Sequence, residues 1–216
     1  MRILAIGSSS TEGVGASEPI YSYPADLQAT LESRFPTRSI EVVNAGIGGE
    51  TASQTVKRLE TALSAGGFDL VIWQVGTNDA VDDVDPDGFR AVLKEGLRAA
   101  RGAHTPLILV DPQYFPAAIH PNIYASFVQI VDALGKERGV PVFSRYALMK
   151  AWNDQASELL AAMLSKDSFH MSDRGYACWA NLLADDISGR IPAIVATNKD
   201  AKKVAAPVNA SRAPTP

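Results

Sequence analysis

The stretch Arg2-Ile3-Leu4-Ala5-Ile6-Gly7-Ser8-Ser9-Ser10-Thr11-Glu12-Gly13 sets the frame for the rest of the chain. Ile3 to Ile6 are apolar without polar alternation, which reads as a strand buried on both faces of a parallel sheet. Gly7 and the three serines end that strand in a turn. They leave hydroxyl groups just beyond its carboxyl end, the edge of an open α/β sheet where ligands bind.

Outward from this segment the same alternation repeats. Further runs rich in Ile, Val and Leu occupy residues 39–44, 69–75, 106–111 and 140–144. Between them lie segments with helical faces. Leu27, Leu31 and Phe35 follow Pro24, which suits a first helical turn. Thr51 and Gln54 have capping-box spacing ahead of Val56, Leu59 and Leu63. Phe89, Val92, Leu93 and Leu97 follow Asp85-Pro86, and Tyr124, Phe127, Val128, Val131 and Leu134 form another stripe. The last stripe, Tyr176, Trp179, Leu183 and Ile187, starts behind Ser172 as a candidate cap. Strand–helix alternation of this kind predicts an α/β protein, a three-layer α/β/α sandwich around a central parallel sheet of about five strands with right-handed crossovers.

One domain is expected over residues 1–195. From residue 196 to 216 the chain has no aromatic, Leu or Ile to bury and is rich in Ala, Pro and Lys, so a disordered tail is expected there.

The composition narrows the function. The 216 residues carry a formal net charge of -4, with no basic run or stripe, which argues against a nucleic-acid partner. The lone cysteine, Cys178, excludes an intrachain disulfide and a thiolate metal cluster. His104, His120 and His170 show no pairing at ligand spacing, so no metal is expected. No apolar run approaches the length of a membrane span. The apolar stretch at the N-terminus is too short for a signal core, and the plain reading is a cytoplasmic protein. An exported protein whose signal had been trimmed would read the same.

Four separated pieces carry candidate chemistry. Gly7-Ser8-Ser9-Ser10-Thr11-Glu12-Gly13 offers a serine after a strand, and Asp167-Ser168-Phe169-His170 a carboxylate three residues before a histidine. Asn44-Ala45-Gly46-Ile47-Gly48-Gly49 offers a glycine-rich turn, and Gly76-Thr77-Asn78-Asp79 an amide, both suited to donate to an oxyanion. Serine-nucleophile hydrolysis needs these parts. Each piece alone has a plainer reading: a phosphate cradle for the Ser turn, positive-φ glycines, a helix cap at Asn78, a surface His170. The segments bearing Ser9, Gly49 and Asn78 each follow a strand, so all three should emerge on one edge.

In these blocks and their order the chain resembles the SGNH (GDSL-type) hydrolases, over nearly its whole length up to about Arg190. The resemblance implies a flavodoxin-like sandwich without a cofactor, with Ser9 as the nucleophile and Asp167 and His170 completing the triad. It also implies an oxyanion hole formed by the Ser9 and Gly49 N–H groups and the Asn78 amide. The family's first block normally has Asp where this chain has Ser8. That position lies outside the triad, so Ser8→Asp is expected to preserve activity.

The function expected on these grounds is hydrolysis of a small-molecule ester, acetyl or short-chain and including carbohydrate-borne groups, through an acyl-enzyme. Long-chain lysophospholipase or thioesterase action is the same chemistry with a longer groove. A flavodoxin-like module that holds phosphate at the first turn is the reading from another class. It would need neither Asp167 nor His170. The segment Asp111-Pro112-Gln113-Tyr114-Phe115-Pro116 falls on the site's edge, making Gln113 and Tyr114 candidate substrate contacts, or else parts of a rigid loop. The acidic run Asp79, Asp82, Asp83, Asp85 and Asp87 lacks calcium-loop spacing and reads as a solvated, helix-capping loop. Trp73 reads as core.

Overall fold

The computed structural model describes the backbone of residues 1–204 and the side chains of residues 1–191. In chain order the elements are β1 (Arg2–Gly7), α1 (Ser9–Glu12), α2 (Tyr23–Arg34), β2 (Glu41–Gly46), α3 (Ala52–Ala65), β3 (Leu70–Gln74) and α4 (Thr77–Val81). There follow α5 (Pro86–Gly102), β4 (Leu107–Val110), α6 (Pro121–Arg138), β5 (Val142–Phe143), α7 (Arg145–Gln155), α8 (Ser157–Met163) and α9 (Asp173–Val204). The five strands form one sheet in the order β2-β1-β3-β4-β5, and every pairing is parallel. This is the flavodoxin-like order, which places a topological switch point between β1 and β3.

Alternation along the strands splits the core between the two faces. Ile3, Ala5, Leu70, Ile72, Ile108 and Val110 pack with α2, α7, α8 and α9. Leu4, Ile6, Val71, Trp73, Leu107 and Leu109 pack with α3, α5 and α6. The result is the expected three-layer sandwich. Trp73 is fully buried, and a Cβ on Gly96 of α5 would come within 2.3 Å of its ring, so glycine is what lets α5 lie against the sheet there.

The caps act where the sequence placed them. The Thr51 N–H donates to the Gln54 side chain at 2.9 Å, Asp85 accepts from the Gly88 N–H at 2.8 Å, and Ser172 from the Gly175 N–H at 3.4 Å.

Some details differ from the sequence reading. β2 is an edge strand, only partly buried, and it starts two residues later than expected, so that Gly46 pairs with Gly7. Four helices carry no readable stripe. α1 and α4 are single turns at strand ends, α8 is seven residues long, and polar residues interrupt the apolar face of α7. α9 runs past the expected boundary at residue 195, and the backbone of residues 196–204 is helical. Ala and Lys are strong helix formers, and the first proline after Pro192 is Pro207. The rest of the expected tail, 205–216, lies outside the described residues.

Candidate active site

Gly7 is the last residue of β1, and Ser9 is the first of α1, so the chain passes from strand to helix in one step. As an opening helical residue Ser9 has an N–H without an intrahelical acceptor. A Cβ on Gly7 would lie 2.4 Å from Thr11 Oγ1 and 2.6 Å from Gln74 Oε1, so only glycine permits the turn to fold over β3. Gln74, 1% exposed, braces that turn. Its Oε1 accepts from the Ser8 N–H at 3.0 Å, the Ser8 hydroxyl at 3.3 Å and the Thr11 hydroxyl at 3.1 Å. The acceptor that an aspartate would bring to position 8 is thus supplied from the neighbouring strand.

His170 reaches Ser9 from the far end of the chain. Its Nε2 lies 2.9 Å from Ser9 Oγ, and its Nδ1 lies 2.6 Å from Asp167 Oδ2. The other carboxylate oxygen, Asp167 Oδ1, accepts from the Ser165 hydroxyl at 2.7 Å and from the Phe169 and His170 N–H groups at 2.9 Å each. Ser168, with φ +57°, takes the left-handed turn that lets Asp167 and His170 face each other. Desolvation pushes the Asp167 carboxyl up, but these hydrogen bonds outweigh it and hold it well below the usual carboxylate range. Asp167 therefore stays ionised and fixes the proton on the Nδ1 side, leaving Nε2 facing Ser9 as an acceptor.

The glycine-rich turn passes beside Ser9. A Cβ on Gly48 would lie 3.9 Å from Ser9 Cβ and 2.8 Å from Glu12 Oε2, and Gly49 adopts φ +78°. Asn78, the second residue of α4, donates one amide hydrogen to the Glu50 carbonyl at 2.8 Å, and the amide has a second hydrogen to offer. Asp79 is 2% exposed, and both its oxygens lie 3.0 Å from the Ala52 N–H at the start of α3. Burial pushes its carboxyl up to about 6 against those backbone hydrogen bonds. Arg58 completes the frame: it ion-pairs with Glu50 and donates to the Ala45 carbonyl at 2.8 Å and the Gly7 carbonyl at 3.3 Å. Asn78 and Asp79 thus tie the amide-bearing segment to the residues that follow the glycine-rich turn, and Arg58 ties that turn to the end of β1. The roles of Asp79, Arg58 and Gln74 were not visible in sequence, because each spans at least eight residues to a partner that no local pattern marks.

The β4–α6 segment carries the candidate residues Gln113 and Tyr114. Gln113 is 2% exposed; its Nε2 donates to the Phe169 carbonyl at 3.0 Å, and its own carbonyl accepts from the Tyr124 hydroxyl at 2.9 Å. Its side chain is a buried strut beneath the Asp167–His170 loop. Tyr114 packs edge-on against Tyr146 at 5.4 Å. The next residue, Phe115, touches Phe169 edge-on at 4.8 Å, and Phe169 in turn touches His170 at 5.0 Å. Phe115 also lines a recess of about 80 Å³ with Ala80, Val81, Ala118, Ile119 and Tyr124, close to Asn78 in sequence.

A far larger cavity, about 810 Å³, opens at the opposite edge of the sheet, between the C-terminal ends of α5 and α6 and the start of β4. It contains none of the residues of the four motifs. Among the described residues no group of three or more His, Cys, Asp or Glu is arranged to hold a metal ion, and no helix is long and apolar enough to cross a membrane.

Ser9, His170, Asp167, Gly48 and Asn78 therefore share one edge of a flavodoxin-like sheet, the arrangement of an SGNH-type ester hydrolase. The chain belongs to the Non-GDSL lipase-like family, whose model matches residues 1–191. No curated protein sequence matches it. Among solved structures it is similar to a lipase/acylhydrolase from Enterococcus faecalis, with a TM-score of 0.70 and 24% identity over 88% of this chain and 96% of that one. It is also similar to the psychrotrophic esterase EstA from Pseudoalteromonas sp., in a structure inhibited by monoethylphosphonate, with a TM-score of 0.74 and 17% identity over 88% and 98% of the two chains. The acetyl xylan esterase AlAXEase gives a TM-score of 0.72 and 19% identity over 88% and 100%.

Proposed function

We propose that the protein cleaves small acyl esters, acetyl or short-chain, through a Ser9 acyl-enzyme. The observation that carries this reading is the unbroken relay Asp167–His170–Ser9, with contacts of 2.6 and 2.9 Å. His170 Nε2 takes the Ser9 proton as Oγ attacks the acyl carbon, and returns it to the leaving alcohol. Asp167 stabilises the imidazolium in between. The N–H groups of Ser9 and Gly49 and the free amide hydrogen of Asn78 receive the carbonyl oxygen as it becomes an oxyanion. Water, activated by the same imidazole, then releases the acid. No step requires a metal or cofactor.

The comparisons favour short acyl groups: similar folds include acetyl xylan and acetyl-xylooligosaccharide esterases, which makes a carbohydrate-borne acetyl group the first substrate to try.

Labelling with a fluorophosphonate, followed by mass spectrometry of the adduct, tests the nucleophile without a choice of substrate. The expected adduct is on Ser9. A folded protein that takes none, or takes it on Ser8 or Ser10, would sink the assignment. A p-nitrophenyl ester series should then show kcat/KM falling beyond butyrate. A rise towards decanoate would reject the short-chain reading and favour the longer-chain one.

A further inference from the structure

Arg145 is left unexplained by this chemistry. It opens α7, is fully buried, and its guanidinium lies 5.2 Å from the centre of the Trp179 ring. Its charge is felt by Tyr23, Tyr124, Tyr176 and Asp111. No carboxylate forms an ion pair with it among the described residues. Asp111 accepts instead from the Ser144 hydroxyl at 2.6 Å and the Tyr146 N–H at 2.8 Å. Arg145 Nε and Nη1 are buried without a hydrogen-bond partner. A guanidinium stripped of water, with Asp111 near enough to be felt but not in ion-pair contact, is costly, and the face of Trp179 offsets only part of that.

The hydrogen bond this side chain does make goes to one place. Arg145 Nη2 donates to Thr77 Oγ1 at 2.9 Å. Thr77 is the residue before Asn78 and the first of α4. The same oxygen accepts from the Gln113 N–H at 3.4 Å, and Gln113 Nε2 in turn holds the Phe169 carbonyl beside His170. Burial lowers the Arg145 pKa from its ordinary value, but arginine keeps its proton in a protein, so the donation to Thr77 is charge-assisted. Among the described residues the Asn78 side chain has the bond to the Glu50 carbonyl, and its backbone follows Thr77 directly in the single turn of α4.

We propose that Arg145 is a positioning residue for the oxyanion donor Asn78, acting through the Thr77 hydroxyl. The proposal rests on the reading of Ser9 as nucleophile and Asn78 as donor. A core role alone would make Arg145 a matter of stability. A positioning role makes the loss specific to turnover, and specific to the presence of Asn78.

The test uses Thr77→Val, which removes the acceptor at nearly constant shape, and Thr77→Ser, which keeps it. With p-nitrophenyl acetate, Thr77→Val should lower kcat about 10- to 100-fold with KM within about twofold, the scale of a small misplacement of a catalytic group. Thr77→Ser should stay within about threefold of wild type. Arg145→Met, where circular dichroism shows it folded, should match Thr77→Val; if it does not fold, the Thr77 pair decides. In an Asn78→Ala background the Thr77→Val change should cost less than about twofold. A full second loss in that background, or wild-type kcat in Thr77→Val, would overturn the proposal. The fluorophosphonate adduct separates the two levels. Absence of a Ser9 adduct in the wild type removes the nucleophile assignment and this inference with it, whereas a Ser9 adduct with undiminished kcat in Thr77→Val removes this inference alone.

Discussion

The loop at residues 165–170 and the turn at 76–79 each bring a carboxylate and a polar side chain to the same edge of the sheet, but they are held by opposite means. In the first, Asp167 is half-exposed, and its four partners all come from residues 165 to 170. In the second, Asp79 is buried, and it and its neighbours are tied to Ala52, Glu50, Gln113 and Arg145, all distant in sequence. Apart from the Gln113 strut to the Phe169 carbonyl, the first loop is a local device, proposed to supply a proton acceptor. The second is a tertiary one, proposed to supply a fixed donor. The difference teaches that a catalytic group which must move a proton can be built from a few adjacent residues. A group that must not move needs the whole fold behind it.

The largest effect should come from the local device. Asp167→Asn leaves the loop able to close but offers His170 Nδ1 an amide, which removes the charge and can favour the wrong tautomer. The expected loss in kcat is about 10³- to 10⁴-fold. Asn78→Ala removes one of the three proposed oxyanion donors and should lose about 10²- to 10³-fold. Steady-state kinetics of the two variants on one ester ranks them. A greater loss for Asn78→Ala would reverse the ordering of the two regions.

A smaller effect separates the two carboxylates by pH. Burial raises the Asp79 carboxyl from 3.8 to about 6, so between those values the folded chain holds a proton that the unfolded chain has released. Its contribution to stability is complete below the unfolded value and is lost as pH rises through about 6, a change on the order of 3 kcal/mol. The Asp167 carboxyl is lowered, so its contribution has the opposite sign: present above the ordinary carboxylate range and lost as pH falls. Urea unfolding from pH 4 to pH 7 should therefore show the wild type losing stability relative to Asp79→Asn as pH rises. A flat difference would mean that Asp79 is as well solvated as Asp167.

The same contrast explains what the sequence disclosed. Ile3 to Ile6, followed by a Gly/Ser turn, defined β1 to the residue, and strand–helix alternation defined the layers. Asp167 and His170, three residues apart, form a contact that spacing alone suggests. Ser9 lies 161 residues from His170, and their meeting became legible through the order of the four blocks. The struts had no such signal. Nothing in the sequence singles out Arg145, and Gln113 reads either as a loop amide that meets substrate or as part of a rigid loop. Hydrophobic periodicity reports which face is buried, and says nothing about a polar residue that is buried because it has been paired across the fold.

Ser8 gives the smallest and most local probe of that rule. An aspartate introduced there would set a carboxylate against Gln74 Oε1, which already accepts three hydrogen bonds. Gln74 Nε2 is buried without a partner, so turning the amide over gives the new carboxylate a donor and that nitrogen an acceptor. The turn of the amide also takes Oε1 away from the Ser8 N–H and the Thr11 hydroxyl. One charge-assisted hydrogen bond, worth about 1.5–3 kcal/mol, is gained against about 1 kcal/mol for each of the three neutral bonds lost, which leaves a net cost on the order of 1 kcal/mol. Ser8→Asp should therefore change stability by no more than about 1 kcal/mol and kcat/KM by no more than about threefold. In a Gln74→Leu background the carboxylate has no such donor, and the same substitution should cost at least about 2 kcal/mol. Equal costs in the two backgrounds, measured by urea unfolding, would show that the nucleophile turn stands without its strut from β3.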